Sequence, residues 1–209
     1  MSVYARKILL ATDNAGCDRG GTAVLRGLTV ELGPGEAVQL FGANGSGKTS
    51  LLSMLSGLTP IAEGTVEWTE GANTQHHPFD NSLLFLGHEN SVKASLTVEE
   101  NLSFWLSNTE KPARQDKIIS ALQKVGIVHL MKQRTSTLSM GQKRRVDIAR
   151  ACLEDREVWL MDEPAAALDV KGETILCELI NDHLARGGSA ILATHRPLDI
   201  HARRLELSS

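Results

Sequence analysis

The eight residues Gly42-Ala43-Asn44-Gly45-Ser46-Gly47-Lys48-Thr49 constrain this chain more than any other stretch. They match GxxxxGK[ST] at every specified position. Glycine is needed where a backbone turns tightly and a ligand comes close, because a Cβ would block the approach. Successive backbone N–H groups can then face inward and wrap an anion. The apolar run Ala37–Phe41 predicts a short strand leading into the loop. The pattern over 48–58 predicts a helix leaving it, with Leu51, Leu52, Leu55 and Leu58 on one face. A helix that starts there turns its N-terminal partial charge toward the same anion. The residues Gly42, Ala43, Asn44, Gly45, Ser46, Gly47, Lys48, Thr49 and Ser50 therefore read as a cradle for a nucleotide triphosphate. Lys48 would neutralise the β- and γ-phosphates, and Thr49 would offer its hydroxyl to Mg²⁺. GTPases, kinases, helicases and transport ATPases all use such a loop, so the choice falls to the rest of the chain.

A second acidic element narrows it. "EVWLMDEP", residues 157–164, reads as an apolar strand ending in two carboxylates. Asp162 at the strand end would hold Mg²⁺, directly or through water. Glu163 beside it would be the general base that polarises the attacking water.

Around these motifs, β-prone runs alternate with helical ones. Residues 24–32 read as a strand ending in the turn Gly33-Pro34-Gly35, and 158–161 and 190–193 as strands buried on both faces. Between Thr97 and Glu154 helical signals dominate, opened by capping boxes at Thr97 with Glu100 and at Ser139 with Gln142. The expectation is a mixed α/β core interrupted by a mostly helical insertion. At 209 residues the chain suits one large domain. Aromatic residues are only 4%, so the core should be Leu, Val, Ile and Ala.

A net charge of −3 argues against a nucleic-acid binder that neutralises many phosphates. The basic cluster Lys143-Arg144-Arg145 reads instead as a solvated helix face. Cys17, Cys152 and Cys177 have no metal-like spacing and read as reduced thiols. The pair His76-His77 sits in a polar loop and reads as solvated rather than metal-binding. No run approaches the ~18 apolar residues needed to cross a bilayer.

"LSMGQKRRVDIARA", residues 138–151, together with the glycine loop and "DEPAAALD", resembles the ATP-binding-cassette family, whose signature is LSGGQ. That resemblance implies an α/β fold: a P-loop NTPase domain with a RecA-like core, an antiparallel β subdomain and a helical subdomain at about 89–152. The whole span 1–209 is then a single nucleotide-binding domain. It also implies ATP and Mg²⁺ as cofactors and a head-to-tail homodimer that forms with ATP. In such a dimer Ser139, Gly141 and Gln142 contact the ATP held by the partner copy. Met140 departs from the family's glycine, and its side chain would crowd that phosphate. Asp169 falls in the family's D-loop, which couples the two sites, and His195 falls where the switch histidine contacts the γ-phosphate. His88 stands where the family has a glutamine. Arg19 stands near the aromatic that stacks on adenine, and two readings stay open for it: a guanidinium stacked on the base, or a surface arginine unrelated to nucleotide.

The combination of "CDRGG", "FLGHENSVKASLTVEENLSFW" and "THRPL" is similar, more narrowly, to the heme-exporter ATP-binding subunits of cytochrome c maturation systems. This implies integral membrane subunits as partners and a peripheral position on the cytoplasmic face of the inner membrane. The transmembrane partner would dock on the helical insertion, roughly 89–134. It does not imply heme binding by this chain, which has no CxxCH motif. Two alternatives stay open: the ATPase of another small-molecule transporter, and a cassette acting on DNA or ribosomes. The latter class typically fuses two cassettes or inserts a long coiled coil. Here there is one glycine loop and no sustained heptad run.

Overall fold

Continuous apolar runs and alternating ones build two different sheets in this chain. The structure, a computed structural model, describes residues 4, 6–79, 81–107 and 115–207. It divides into two units, one of Met1–His88, Arg156–Glu163 and Ile180–Ser209, the other of Glu89–Asp155 and Pro164–Leu179.

In the first unit, β1 (Ile8–Arg19), β2 (Thr22–Leu32), β4 (Glu63–Glu70) and β5 (Asn73–Gln75) form an antiparallel sheet in the order β2-β1-β4-β5. β2 buries alternate residues, Leu28, Val30 and Leu32, as a strand with one core face must. β1 and β2 are joined through Gly20 and Gly21, both at positive φ (58° and 78°), the twist a two-residue hairpin turn needs.

The second sheet is parallel, with β3 (Ala37–Phe41), β6 (Leu83–Leu86), β7 (Val158–Asp162), β8 (Ser189–Ala193) and β9 (Arg203–Glu206) in the order β6-β7-β8-β3-β9. β7 and β8 are buried at every position, as their apolar stretches 158–161 and 190–193 require. Register places the site. Ala193 of β8 pairs with Leu40 of β3 on one side and with Asp162 of β7 on the other. These three strands therefore end level, and the chain leaves each of them at one edge of the sheet.

Helix α1 (Lys48–Leu55) packs against strands of both sheets. Its Leu51, Leu52, Met54 and Leu55 join one core with Leu10, Leu32 and Trp68 of the antiparallel sheet and Val158, Leu160 and Ile191 of the parallel one. The helix is shorter than the 48–58 expected. Gly57 at φ 78° turns the chain out of it, and Leu58 is left 69% exposed instead of sharing the buried face.

The second unit carries α2 (Val98–Ser107), α3 (Gln115–Lys124), α4 (Met140–Leu153) and the start of α5 (Val170–Ala185). α2 and α3 both pack on α4, around Val98, Leu102, Ile118, Leu122 and Ile148. Both expected capping boxes form. The Thr97 N–H donates to Glu100 Oε2 at 2.7 Å, and the Glu100 N–H donates to Thr97 Oγ1 at 3.2 Å. At α4 the Ser139 N–H donates to Gln142 Oε1 at 2.9 Å, and the Gln142 N–H donates to Ser139 Oγ at 3.2 Å. Cys17, Cys152 and Cys177 are not in disulfides.

Candidate functional site: a nucleotide cleft at the level strand ends

A cleft of about 460 Å³ opens at this edge of the parallel sheet, within the first unit. Asn44, Gly45, Gly47, Lys48, Thr49 and Ser50 form its floor. Gly42, Ala43 and Ser46 shape the loop from behind, with Ser46 only 3% exposed. Gly42 sits at φ 150°, and a Cβ there would lie 2.5 Å from Ser46 Oγ and 2.8 Å from the Leu207 carbonyl. The loop can close only without that atom. No side chain caps α1 and no acidic residue lies in its first turn, so its dipole is left to an anionic ligand. The Lys48 ammonium is 7% exposed as a residue and donates to the carbonyls of Gly42 (2.7 Å) and Ala43 (3.2 Å). Its positive charge is thereby stored inside the loop that would wrap a phosphate.

The opposite wall comes from the ends of β7 and β8. Thr49 Oγ1 donates to Asp162 Oδ2 at 2.7 Å, joining the helix start to the strand end. The next residue, Glu163, has φ 48° while its N–H extends the ladder to the Ala193 carbonyl at 2.9 Å. A non-glycine residue held in that region costs of order 1–3 kcal/mol and is typical of functional sites. The Glu163 side chain lines the cleft, where its Oε1 lies 3.1 Å from His195 Nε2. His88, Arg19 and Val24 complete the lining. The sequence had pointed to all of these except Val24, which carries no motif.

Ser139, Gly141, Gln142 and Asp169 belong to the second unit. There the start of α4 is locked to the segment after Pro164. Gly141 needs its missing side chain, because a Cβ would come within 2.5 Å of the Ala167 carbonyl. Arg144 Nε donates to the Pro164 carbonyl at 3.1 Å, and Arg145 pairs with Asp169 and donates to the Val125 carbonyl at 2.9 Å. The Gly172 N–H and the Arg145 guanidinium hold the Asp169 carboxyl below its usual range. Arg144 is 2% exposed, so the basic cluster read as a solvated face turns part of itself inward. Met140 is 61% exposed at the helix start.

Residues 25–166 match the family described as ABC transporter. The chain belongs to the ABC transporter family. Among its relatives are proteins named cytochrome c biogenesis ATP-binding export protein CcmA. The one from Rhodopseudomonas palustris (strain BisB5) is 42% identical over 92% of this chain and 94% of its own length. The one from Haemophilus influenzae is 37% identical over 96% and 95%. A solved structure from Pyrococcus furiosus, an ATP-binding protein assigned to an ABC transporter, superposes with a TM-score of 0.83 at 25% identity, covering 95% of this chain and 97% of that one. A nucleotide-free ATP-binding cassette from another ABC transporter gives 0.74 at 22% identity, over 90% of this chain and 82% of that one. The fold is accordingly the α/β P-loop fold of ABC ATPases, and the chain is an ABC-type ATPase.

His183 and Asp147 are buried ionisable groups to which the sequence motifs of this ABC cassette assign no role. His183 on α5 is 0% exposed and stacks on Trp159 of β7 at 3.9 Å and 11°. Its Nε2–H donates to the Ser189 carbonyl at 3.2 Å, so its Nδ1 accepts from the Tyr4 hydroxyl at 2.9 Å. Burial pushes its pKa down to about 4. A signal existed: His183 follows Leu176 and Ile180 at helical spacing. Asp147 on α4 is 2% exposed and accepts from the Ser91 N–H at 3.2 Å. Burial raises its pKa to about 6 against the pull of Arg144, that N–H and Arg150.

Proposed function

We propose that this chain is the ATP-hydrolysing subunit of a membrane ABC complex for cytochrome c biogenesis, energising the handover of heme to a periplasmic heme chaperone. The observation that carries the chemistry is the convergence, at one sheet edge, of the glycine loop, the Thr49–Asp162 pair and the Glu163–His195 pair. The curated relatives' names carry the biological setting.

ATP would lie with its phosphates on the loop and on the start of α1. Lys48 then exchanges its loop carbonyls for β- and γ-phosphate oxygens. Thr49 Oγ1 and Asp162 Oδ2, a hydroxyl and a carboxylate 2.7 Å apart in the cleft wall, are hard oxygen donors of the kind Mg²⁺ takes. The ion, when bound, would neutralise charge on the phosphates. Glu163 accepts the proton of the attacking water, and His195 orients Glu163 and meets the γ-phosphate. Arg19 covers the base end of the cleft. The span 1–209 acts as one nucleotide-binding domain with a helical subdomain at about 89–152.

The same reading gives the assembly. Two copies close head to tail on ATP, each presenting Ser139, Gly141 and Gln142 to the partner's nucleotide, with Asp169 linking the two sites. The integral membrane subunits dock on the helical subdomain and hold the chain peripherally at the cytoplasmic face of the inner membrane. Neither heme nor nucleic acid is a ligand of this chain.

Lys48→Ala tests the proposal. It should abolish ATP binding and the formation of holo-cytochrome c, while membrane association, assigned to the helical subdomain, survives. Normal holo-cytochrome levels in that variant would remove the cytochrome assignment. Undiminished ATP affinity, measured separately, would remove the assignment of the cradle.

A further inference from the structure

We propose that Gln39 is a positioning residue for ATP hydrolysis, its side-chain amide clamping the Leu198 backbone so that the loop carrying His195 is held against Glu163. The inference rests on the catalytic roles proposed above for Glu163 and His195.

Gln39 is the polar exception in β3, flanked by Ala37, Val38, Leu40 and Phe41, and it is only 3% exposed. A primary amide in such a strand must find partners for both its ends. It finds both on one residue. Gln39 Oε1 accepts from the Leu198 N–H at 2.8 Å, and Gln39 Nε2 donates to the Leu198 carbonyl at 3.1 Å. Two bonds to one peptide segment fix its orientation as well as its distance, where a single bond would let it pivot.

The clamped segment needs such a device. β8 ends at Ala193 and β9 begins at Arg203, so 194–202 has no ladder of its own. Its near end is held by the Thr194 N–H, which donates to the Leu40 carbonyl at 3.1 Å, and by Thr194 Oγ1, which donates to the Arg196 carbonyl at 2.7 Å. Its far end is held at His201, whose N–H donates to Asn181 Oδ1 at 3.1 Å. Between them, Gln39 supplies an anchor three residues past His195. The His195 side chain is 55% exposed and faces Glu163 Oε1 at 3.1 Å, so its place depends on the backbone beneath it.

The geometry also explains why the anchor belongs on β3. That strand runs directly into Gly42 and the phosphate loop. Leu40 and Gln39 tie the histidine loop to the same strand that sets the phosphates. β3 thereby references the histidine and the phosphate cradle to one rigid element, seated between β8 and β9. Displacing a catalytic group by about 1 Å can cost about 100-fold in rate.

A double-mutant cycle on the purified full-length protein, read as steady-state ATP turnover and nucleotide affinity, tests this. Gln39→Leu keeps the volume and removes both bonds. Gln39→Asn keeps the donor and acceptor but shortens their reach, and serves if the leucine variant does not fold. Each should lower kcat by roughly 10- to 100-fold while ATP affinity stays within about threefold. In the His195→Ala background the same substitutions should cost nothing further, because the group they position is gone. Equal losses in both backgrounds, or a loss of ATP affinity matching the loss of kcat, would make Gln39 a structural residue and overturn the proposal. If His195→Ala alone leaves kcat unchanged, the role of His195 falls, and the catalytic meaning of the clamp falls with it.

Discussion

Thr49 Oγ1 and Asp162 Oδ2 already lie within a hydrogen bond of each other, while His88 reaches the same cleft with an imidazole. Mg²⁺ prefers hard oxygen donors, and imidazole nitrogen suits Zn²⁺, Cu²⁺ or Fe²⁺ better. Asp162→Ala should therefore damage the Mg²⁺ dependence of ATP affinity, whereas His88→Ala should spare it and impair coupling to cytochrome assembly. ATP affinity across a Mg²⁺ titration compares them directly, and equal losses would place His88 in direct contact with the metal. That Thr49 and Asp162 belong to one cleft was legible because each sits in a run of consecutive residues, GSGKT and MDEP, whereas His88 was placed only by the family resemblance. Gln39, His183 and Asp147 were not legible. Each is a polar residue set into an apolar pattern, and only the tertiary partners, Leu198, Tyr4 with Ser189, and Ser91, explain why it is tolerated there.

At the scale of elements, Asp147 on α4 and His183 on α5 are buried ionisable side chains that respond to pH with opposite sign. His183 has a folded pKa of about 4 against an ordinary 6.5, so the unfolded chain binds more protons between those values. Its contribution is complete above pH 6.5 and is lost as pH falls toward 4. Asp147 has a folded pKa of about 6 against an ordinary 3.8, so over that range the folded chain keeps the proton and stability falls as pH rises. Each full shift corresponds to about 3 kcal/mol, and between about pH 4 and pH 6 they oppose each other. Asp147→Asn should expose the His183 limb, giving a urea midpoint that drops more steeply on acidification than in the parent protein. A midpoint with unchanged pH dependence would show that the two shifts are not the controlling ones. Elements were read unevenly for a related reason. β3, β7 and β8 are short, mostly apolar runs bounded by turns, interrupted only by Gln39 in β3 and by Asp162 and Ser189 at strand ends. β1 went unread because its register shifts between Thr12 and Asp18, which breaks the period-two pattern a strand signal needs. The end of α1 was misplaced because Leu58 keeps helical spacing past a glycine that has already turned the chain.

For the whole molecule, the proposal makes association depend on nucleotide. The trans contact needs phosphate charge to meet Ser139 and the start of α4, so without ATP the isolated chain should be monomeric. Light scattering of the Glu163→Gln variant should report a monomer without nucleotide and a dimer with Mg²⁺-ATP. A stable dimer unchanged by nucleotide would contradict that linkage. Glu163, held at positive φ beside His195, is the proposed base for ATP hydrolysis. The most direct measurement is ATP turnover beside ATP affinity for purified Glu163→Gln, which keeps size and shape and removes the proton acceptor. Turnover should fall by roughly 10²–10⁴-fold, the usual range for losing a positioned base, with affinity preserved. Turnover at the parent rate would show that Glu163 is not the base.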